Sequence, residues 1–380
     1  MIYPQNFEQK IGFDQIRSLI KEKCLSTLGI DYTDRMTFST GYESIREQLN
    51  QTWEFVRILE NADDFPADFF FDVRPSIKRV RIEGTFLEET ELFDLRRSLD
   101  TIQRIIRFLY PGEEEEIKYP YLYKLSKEIS SFPDLIKRID LILDKFGHIK
   151  DNASPQLAHI RSNISSTLSG ISRSLNAILR TAQSEGFVDK EVSPTMRDGR
   201  LVIPVAPSYK RKIRGIVHDE SASGKTIFIE PAEVVEANNR VRELENEERR
   251  EITRILTSFT DELRPAIDEI IYSYEFLAEI DFIRAKALFA AEMGGVLRPV
   301  ENTRQIEWFH AVHPLLYLSL KRQGKTIVPL DLTLDEKNRI LLISGPNAGG
   351  KSVCLKTVGL LQYMLQCGLL VPMHDNSRTG

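Results

Sequence analysis

Two narrow apolar stripes, one on each side of a β-branched segment, constrain this chain more than any other feature. In SPQLAHIRSNISSTLSGISRSLNAILRTAQ, Leu157, Ile160, Ile164, Leu168, Ile171, Leu175 and Ile178 recur at steps of three and four. That pattern is the seam of a coiled coil, not the broad face of a globular helix. Ser154 ahead of Pro155 marks the start, a hydroxyl N-cap followed by proline at the first helical position. From about 231 to 290, Val241, Leu244, Ile252, Ile255, Phe259, Leu263, Ile267, Ile270, Tyr274 and Leu277 keep the same rhythm among dense charges. Pro265 predicts a kink there. Two long helices of matching period predict an antiparallel pair, with the intervening segment at its tip.

That segment changes character. RLVIPV, IRGIVHD and KTIFIEP are short β-branched runs punctuated by Gly199, Gly215 and Gly224. Asp198-Gly199 is a hairpin signal, so the reading is a small antiparallel sheet on a helical stalk. Residues 190–225 carry eight basic and four acidic side chains. Such a patch grips a phosphate backbone without reading bases. The candidate contacts are Arg197, Arg200, Lys210, Arg211, Lys212, Arg214 and Lys225, with Tyr209 as a weak stacking group. The competing reading is a solvated β-surface, because alternation sends about half of a strand's side chains to the other face.

Composition limits what the rest can be. The chain has 380 residues, 28% charged and 42% hydrophobic, an ordinary soluble composition with enough apolar residues for real cores. A net charge of -5 means that nucleic-acid contact must come from a local patch. Cys24, Cys354 and Cys367 fit no metal or disulfide spacing, which points to a reducing, cytoplasmic setting, with Cys354 a core residue. His218 and His310 belong to no ligand cluster. The N-terminus lacks the apolar core of a signal peptide, and no run of about eighteen apolar residues could span a membrane. Residues 1 to about 110 have helical periodicity, with Thr85 and Glu88 spaced as a capping box. The acidic run Glu113–Glu116 reads as a solvated loop or helix start.

Beyond about 295 the pattern turns α/β. HPLLYLSLKRQGKTIVPLDLTLDEKNRILLIS reads as strands, Ile340–Ile343 as a short buried strand, Val353–Leu365 as a helix and GLLVPM as the next strand. Strand, glycine loop, helix and strand begin a parallel βαβ unit. The loop is G-x-x-x-x-G-K-S: Gly345, Pro346, Asn347, Ala348, Gly349, Gly350, Lys351 and Ser352. Its glycines let backbone N–H groups face inward around phosphate oxygens, and the following helix adds its positive end. Lys351 reaches the β- and γ-phosphates and Ser352 places its hydroxyl on Mg²⁺, so the expected ligands are ATP and Mg²⁺. Hydrolysis also needs an acid at the end of a later strand, and Asp375 lies in a polar tail. The expectation is therefore that the chain stops partway through its ATPase domain, by truncation or frameshift, and barely hydrolyses ATP by itself.

GPNAGGKS after a strand resembles the ATPase loop of the MutS family, and AVHPLL, with His313 and Pro314, resembles the segment that opens that domain. GRLVIPVAPSYKRKIRGIVHDESASGKTIFIEP resembles the clamp of the second bacterial MutS-like paralogue, the type that usually ends in a small nuclease domain. FDQIRSLI is similar to that paralogue too, and the resemblance covers essentially all 380 residues. It implies a mainly α multidomain protein: helical core 1–132, ascending lever helices 133–189, β-rich clamp 190–230, descending lever helix 231–294, and the start of a P-loop ATPase domain at 295–380. It implies a homodimer of ATPase heads that drives clamps on branched or mismatched DNA. It also implies that Ile327 or Val328 packs on adenine, against the plainer reading of a buried strand residue. Val353 stands where mismatch-repair members have Thr. Phe86-Leu87-Glu88 matches the mismatch wedge tripeptide but reads as a helix terminus. A clamp acting on ribosomes, and a coiled-coil scaffold with a structural glycine loop, are the alternatives.

Overall fold

The structure, a computed structural model, describes residues 4–110, 112, 116–222, 224–346 and 350–380. Glu113–Glu115 of the acidic run, and Asn347, Ala348 and Gly349 of the glycine loop, lie outside the described residues. The helices are α1 (Phe7–Ile11), α2 (Phe13–Lys21), α3 (Thr27–Arg35), α4 (Tyr42–Glu60), α5 (Arg74–Arg79), α6 (Glu89–Leu109), α7 (Pro120–Ser126), α8 (Pro133–Ile142), α9 (Pro155–Ser184), α10 (Val235–Leu263), α11 (Ile267–Met293), α12 (Pro314–Arg322) and α13 (Lys351–Gln366). The strands are β1 (Thr195–Arg197), β2 (Arg200–Val205), β3 (Gly215–Glu220), β4 (Ile227–Pro231), β5 (Ile306–Ala311), β6 (Leu330–Leu334) and β7 (Arg378–Thr379). Two compact units result: residues 1–79, 94–136 and 265–380 form one, and residues 80–93 and 137–264 the other. Among the described residues no helix is long and apolar enough to cross a membrane.

The second unit is built on α9 and α10. They run antiparallel: Ser154 at the start of α9 donates to Glu251, past the middle of α10 (2.6 Å), and Arg161, farther along α9, pairs with the earlier Glu248 (2.7 Å). Ser154 also accepts the Leu157 N–H at 3.0 Å, the N-cap that Ser-Pro predicted. Leu157, Ile160, Ile171 and Leu175 are buried, and Leu179 takes the seam onward while Ile178 is half-buried. At the far end a four-stranded antiparallel sheet, ordered β1-β2-β4-β3, covers the pair. Its Ile203, Val205 and Ile229 share a core with Leu175, Leu179 and Val241. Burying each such side chain contributes roughly 1.5–3 kcal/mol. Asp198 and Gly199 both have positive φ (46° and 71°), the two-residue hairpin that Asp-Gly announced.

The first unit surrounds α11. This 27-residue helix is buried over most of its length, because α2, α3, α4 and α5 pack around it: Ile270, Tyr274, Leu277 and Ile280 have no exposure, while Asp268, Glu269 and Tyr272 near its start are exposed. Ahead of it, the 3₁₀ turn Arg264–Ala266 interrupts the helical run at Pro265, which removes a backbone donor.

Several expectations need correction. The segment read as strands from His313 begins as α12, because His313 Nδ1 accepts the Leu316 N–H and Pro314 occupies the first turn. Ile340–Ile343 form no strand and are exposed, Ile340 to 90%. No strand among the described residues lies beside them to pair with, and an apolar run without ladder partners gains nothing from extension. GLLVPM contributes a single bridge, Val371 to Val296, although it is buried. The sheet that does form, β6-β5-β7, is antiparallel, so no parallel βαβ unit exists among the described residues. The cap expected at Thr85 sits three residues later: α6 starts at Glu89, and the Glu88 N–H is accepted by Glu91 (2.9 Å). Cys354 is half-buried, and Cys367 is the buried cysteine.

Candidate nucleotide and nucleic-acid sites

In the first unit, the glycine loop leads into α13. Gly350 caps this 16-residue helix in the left-handed region (φ 79°), a conformation that side chains resist. A Cβ at Gly345 or Gly350 would meet nothing within 4 Å. The first turn of α13 has no acidic residue, so its positive end is unopposed. Lys351 Nζ donates to the Gly345 carbonyl, so the ammonium lies beside the first glycine of the motif. Ser352 is exposed in the first turn. An ammonium, a hydroxyl and the positive helix end together at the head of α13 suit a phosphate chain with its Mg²⁺.

The far end of α13 is anchored. Tyr363 donates to Glu8 Oε1 (2.5 Å), and Arg17 holds the same carboxylate at 3.0 and 3.1 Å. Burial and then the Glu8 contact push the Tyr363 phenol up, so it stays a donor. The Tyr363 ring meets Phe13 edge-on at 4.6 Å. Ile327 is half-buried and Val328 is 90% exposed, in an irregular stretch before β6. Neither is the buried strand residue of the plainer reading. Burial pushes the His313 imidazole down, which suits a neutral ring with an accepting Nδ1.

In the second unit the basic residues separate into two groups. Lys210, Arg211, Lys212 and Arg214 are exposed together in the loop joining β2 to β3. Lys225 is exposed in the next turn, beside the Val205 end of β2. Arg197 is exposed near the opposite end, with its guanidinium 4.3 Å from the centre of the Phe228 ring. Arg200 is drawn inward. Its Nη1 lies 2.6 and 2.9 Å from the two oxygens of Glu230, and its Nη2 donates to Asn239 (2.7 Å). Glu230 has no exposure and is also bonded by Asn238 (2.8 Å) and His218 (2.5 Å). Sequence reasoning passed over Glu230. The available signal was a carboxylate inside the apolar run KTIFIEP, which demands a partner once buried.

No family model matches the chain. It is 33% identical over 376 residues, 99% of its length, to a protein of Enterococcus faecalis named Endonuclease MutS2. Proteins of the same name from Geobacillus sp. (strain WCH70) and Alkaliphilus oremlandii are 34% and 36% identical over 97% and 95% of the chain. The chain spans about half the length of these relatives, 45–47%.

Proposed function

The chain belongs to the MutS2 branch of the MutS family, and from that premise we propose that it couples ATP binding to a grip on DNA in repair or recombination. The observation that carries this reading is the head of α13, where Lys351 bonds back to the Gly345 carbonyl and left-handed Gly350 caps the helix. Residues 345–352 hold the phosphates of ATP, Lys351 exchanging the Gly345 carbonyl for phosphate oxygens and Ser352 reaching Mg²⁺. Ile327 or Val328 packs on the adenine. The loop Lys210–Arg214, with Arg197 and Lys225, meets the phosphate backbone, while Arg200 orders the sheet beneath. The α9–α10 pair acts as a coiled-coil lever, and the whole protein works as a homodimer on branched or distorted duplex.

The test is fluorescence anisotropy of the chain with linear duplex, four-way junction and single-stranded DNA over a salt series. The expected result is junction preference with a steep salt slope, since each neutralised phosphate contributes about -0.9 to it on duplex DNA. Charge reversal at Lys210, Arg211 and Lys212 flattens that slope. Salt-independent or absent binding to all three overturns the DNA reading and moves the partner to a ribosome.

A further inference from the structure

Resting on the nucleic-acid reading, we infer that the second unit captures one unstacked base, in a pocket beside the basic loop. The pocket has a volume of about 330 Å³ and lies between the last turns of α9 and residues 212–214. That is at the small end of the range for ligand pockets, about 300–1,000 Å³. Phe187, Ile178 and Ile213 supply its apolar wall, Lys212 and Arg214 its cations.

Phe187 is placed rigidly. Past the end of α9, Gly186 takes φ 79°, its N–H reaches the Gln183 carbonyl (3.2 Å) and the Phe187 N–H reaches Ala182 (2.8 Å). This is a Schellman closure, and it sets the residue after the left-handed glycine in one orientation. Tyr209 backs the Phe187 ring at 5.4 Å between centroids, and Lys212 Nζ lies 5.2 Å from the same ring. The ring is only half-buried, so part of an aromatic surface faces out beside four cations of the adjoining loop.

A flat apolar wall next to a phosphate-binding loop suits a base whose own backbone is held by those cations, because base–aromatic stacking tolerates any base. A fully stacked duplex offers no free base to it. Glu185 and Glu233 also line the pocket and accept hydrogen bonds, which favours a base carrying an exocyclic amino group. The preference for distorted DNA then arises from the unpaired base itself, and the loop cations serve any duplex.

The probe is a duplex with one extrahelical 2-aminopurine, titrated against an unbroken duplex and against the same bulge in RNA. The wild-type chain is expected to bind the bulged DNA about tenfold tighter than the unbroken duplex and to change the 2-aminopurine fluorescence on binding. Phe187→Leu keeps an apolar side chain but removes the ring. Thr181→Trp blocks the pocket from an exposed position on α9. Both variants should erase the preference and leave duplex affinity unchanged. A preference that survives both, or equal wild-type affinity for bulged and unbroken duplex, overturns the pocket while leaving the DNA grip intact. Failure to bind either DNA sinks the grip and the pocket together. Equal capture of the RNA bulge supports the pocket and extends its source to RNA.

Discussion

Arg200 and Glu230 form the innermost charge pair of the four-stranded sheet, 2.6 Å apart, on a carboxylate with no solvent exposure. Asn238 ties the pair to α10, since its amide donates to Glu230 and to the Leu201 carbonyl (3.3 Å). Removing one member of a buried pair leaves the other charge desolvated and alone, which costs about 3–5 kcal/mol. Glu230→Ala should therefore lower stability by about 3 kcal/mol in urea titrations. A loss below about 1 kcal/mol would show the pair to behave like a surface contact.

The same carboxylate makes stability acid-sensitive. Burial raises Glu230, but the hydrogen bonds from Asn238, His218 and Arg200 outweigh burial and hold it below its ordinary value of 4.5. A depressed folded value means that its contribution is complete above about 4.5 and fades as pH falls through the lower folded value. Glu230→Gln should flatten that part of the acid limb. An unchanged slope between pH 5 and 2 would place the acid sensitivity elsewhere.

A glycine in the first unit predicts a reversal of helix propensity. Gly29 lies inside α3, where alanine normally gains about 1 kcal/mol. Yet a Cβ there would stand 2.4 Å from Asp281 Oδ2. Asp281 cannot easily retreat, because it accepts from the Leu25 N–H (2.8 Å), the Ser26 N–H (3.0 Å) and the Ser26 hydroxyl (2.9 Å), holding the start of α3. Gly29→Ala should destabilise, and Asp281→Ala should relieve much of that added cost in a double-mutant cycle. Stabilisation by Gly29→Ala would refute the close approach.

What could be read from the chain was what is local. The Ser154 cap and the Asp198-Gly199 hairpin depend on residues a few positions apart, and each appears where its pattern put it, whereas the α9 stripe is met only at Leu157, Ile160, Ile171 and Leu175, with Ile164, Leu168 and Ile178 half-buried. The burial of Arg200 depends on Glu230, thirty positions away, and no spacing rule connects them. Ile340–Ile343 looked like a buried strand because four apolar residues in a row carry no information about whether a neighbour exists. The helix at Pro314 was hidden by Leu and Tyr, residues that suit either state, and the proline that opens it was the better guide.

Lys286 predicts a pH dependence of the opposite kind. It is buried on α11, with Nζ 4.6 Å from the Phe282 ring, and burial pushes it down from 10.5 to about 8, against the pull of Glu279. Below pH 8 the ammonium is charged in both folded and unfolded chains, and the folded state carries the desolvation cost. Between about 8 and 10.5 the folded chain has released the proton and the unfolded chain has not, so stability should rise with pH. Each unit in that window is worth up to about 1.4 kcal/mol. Lys286→Met should be about 2 kcal/mol more stable at pH 7 and lose the rise, as measured by denaturant titrations at pH 7, 8.5 and 10. Parallel pH curves for both proteins would show that the ammonium reaches water.

Two neighbours at the head of α13 should separate stability from ligand binding. Gly350→Ala forces a side chain into the left-handed region at a cost of about 1–2 kcal/mol, with no steric clash to add to it. Its effect should appear in the melting temperature and in nucleotide affinity together. Lys351 is bonded only to the Gly345 carbonyl among the described residues, and its loss removes a charge rather than a conformation. Lys351→Ala should leave the melting temperature nearly unchanged and weaken a fluorescent ATP analogue by about tenfold or more, as expected for hydrogen bonds to a charged donor. Wild-type affinity in Lys351→Ala would mean that the ammonium serves the turn itself and that phosphate is held elsewhere.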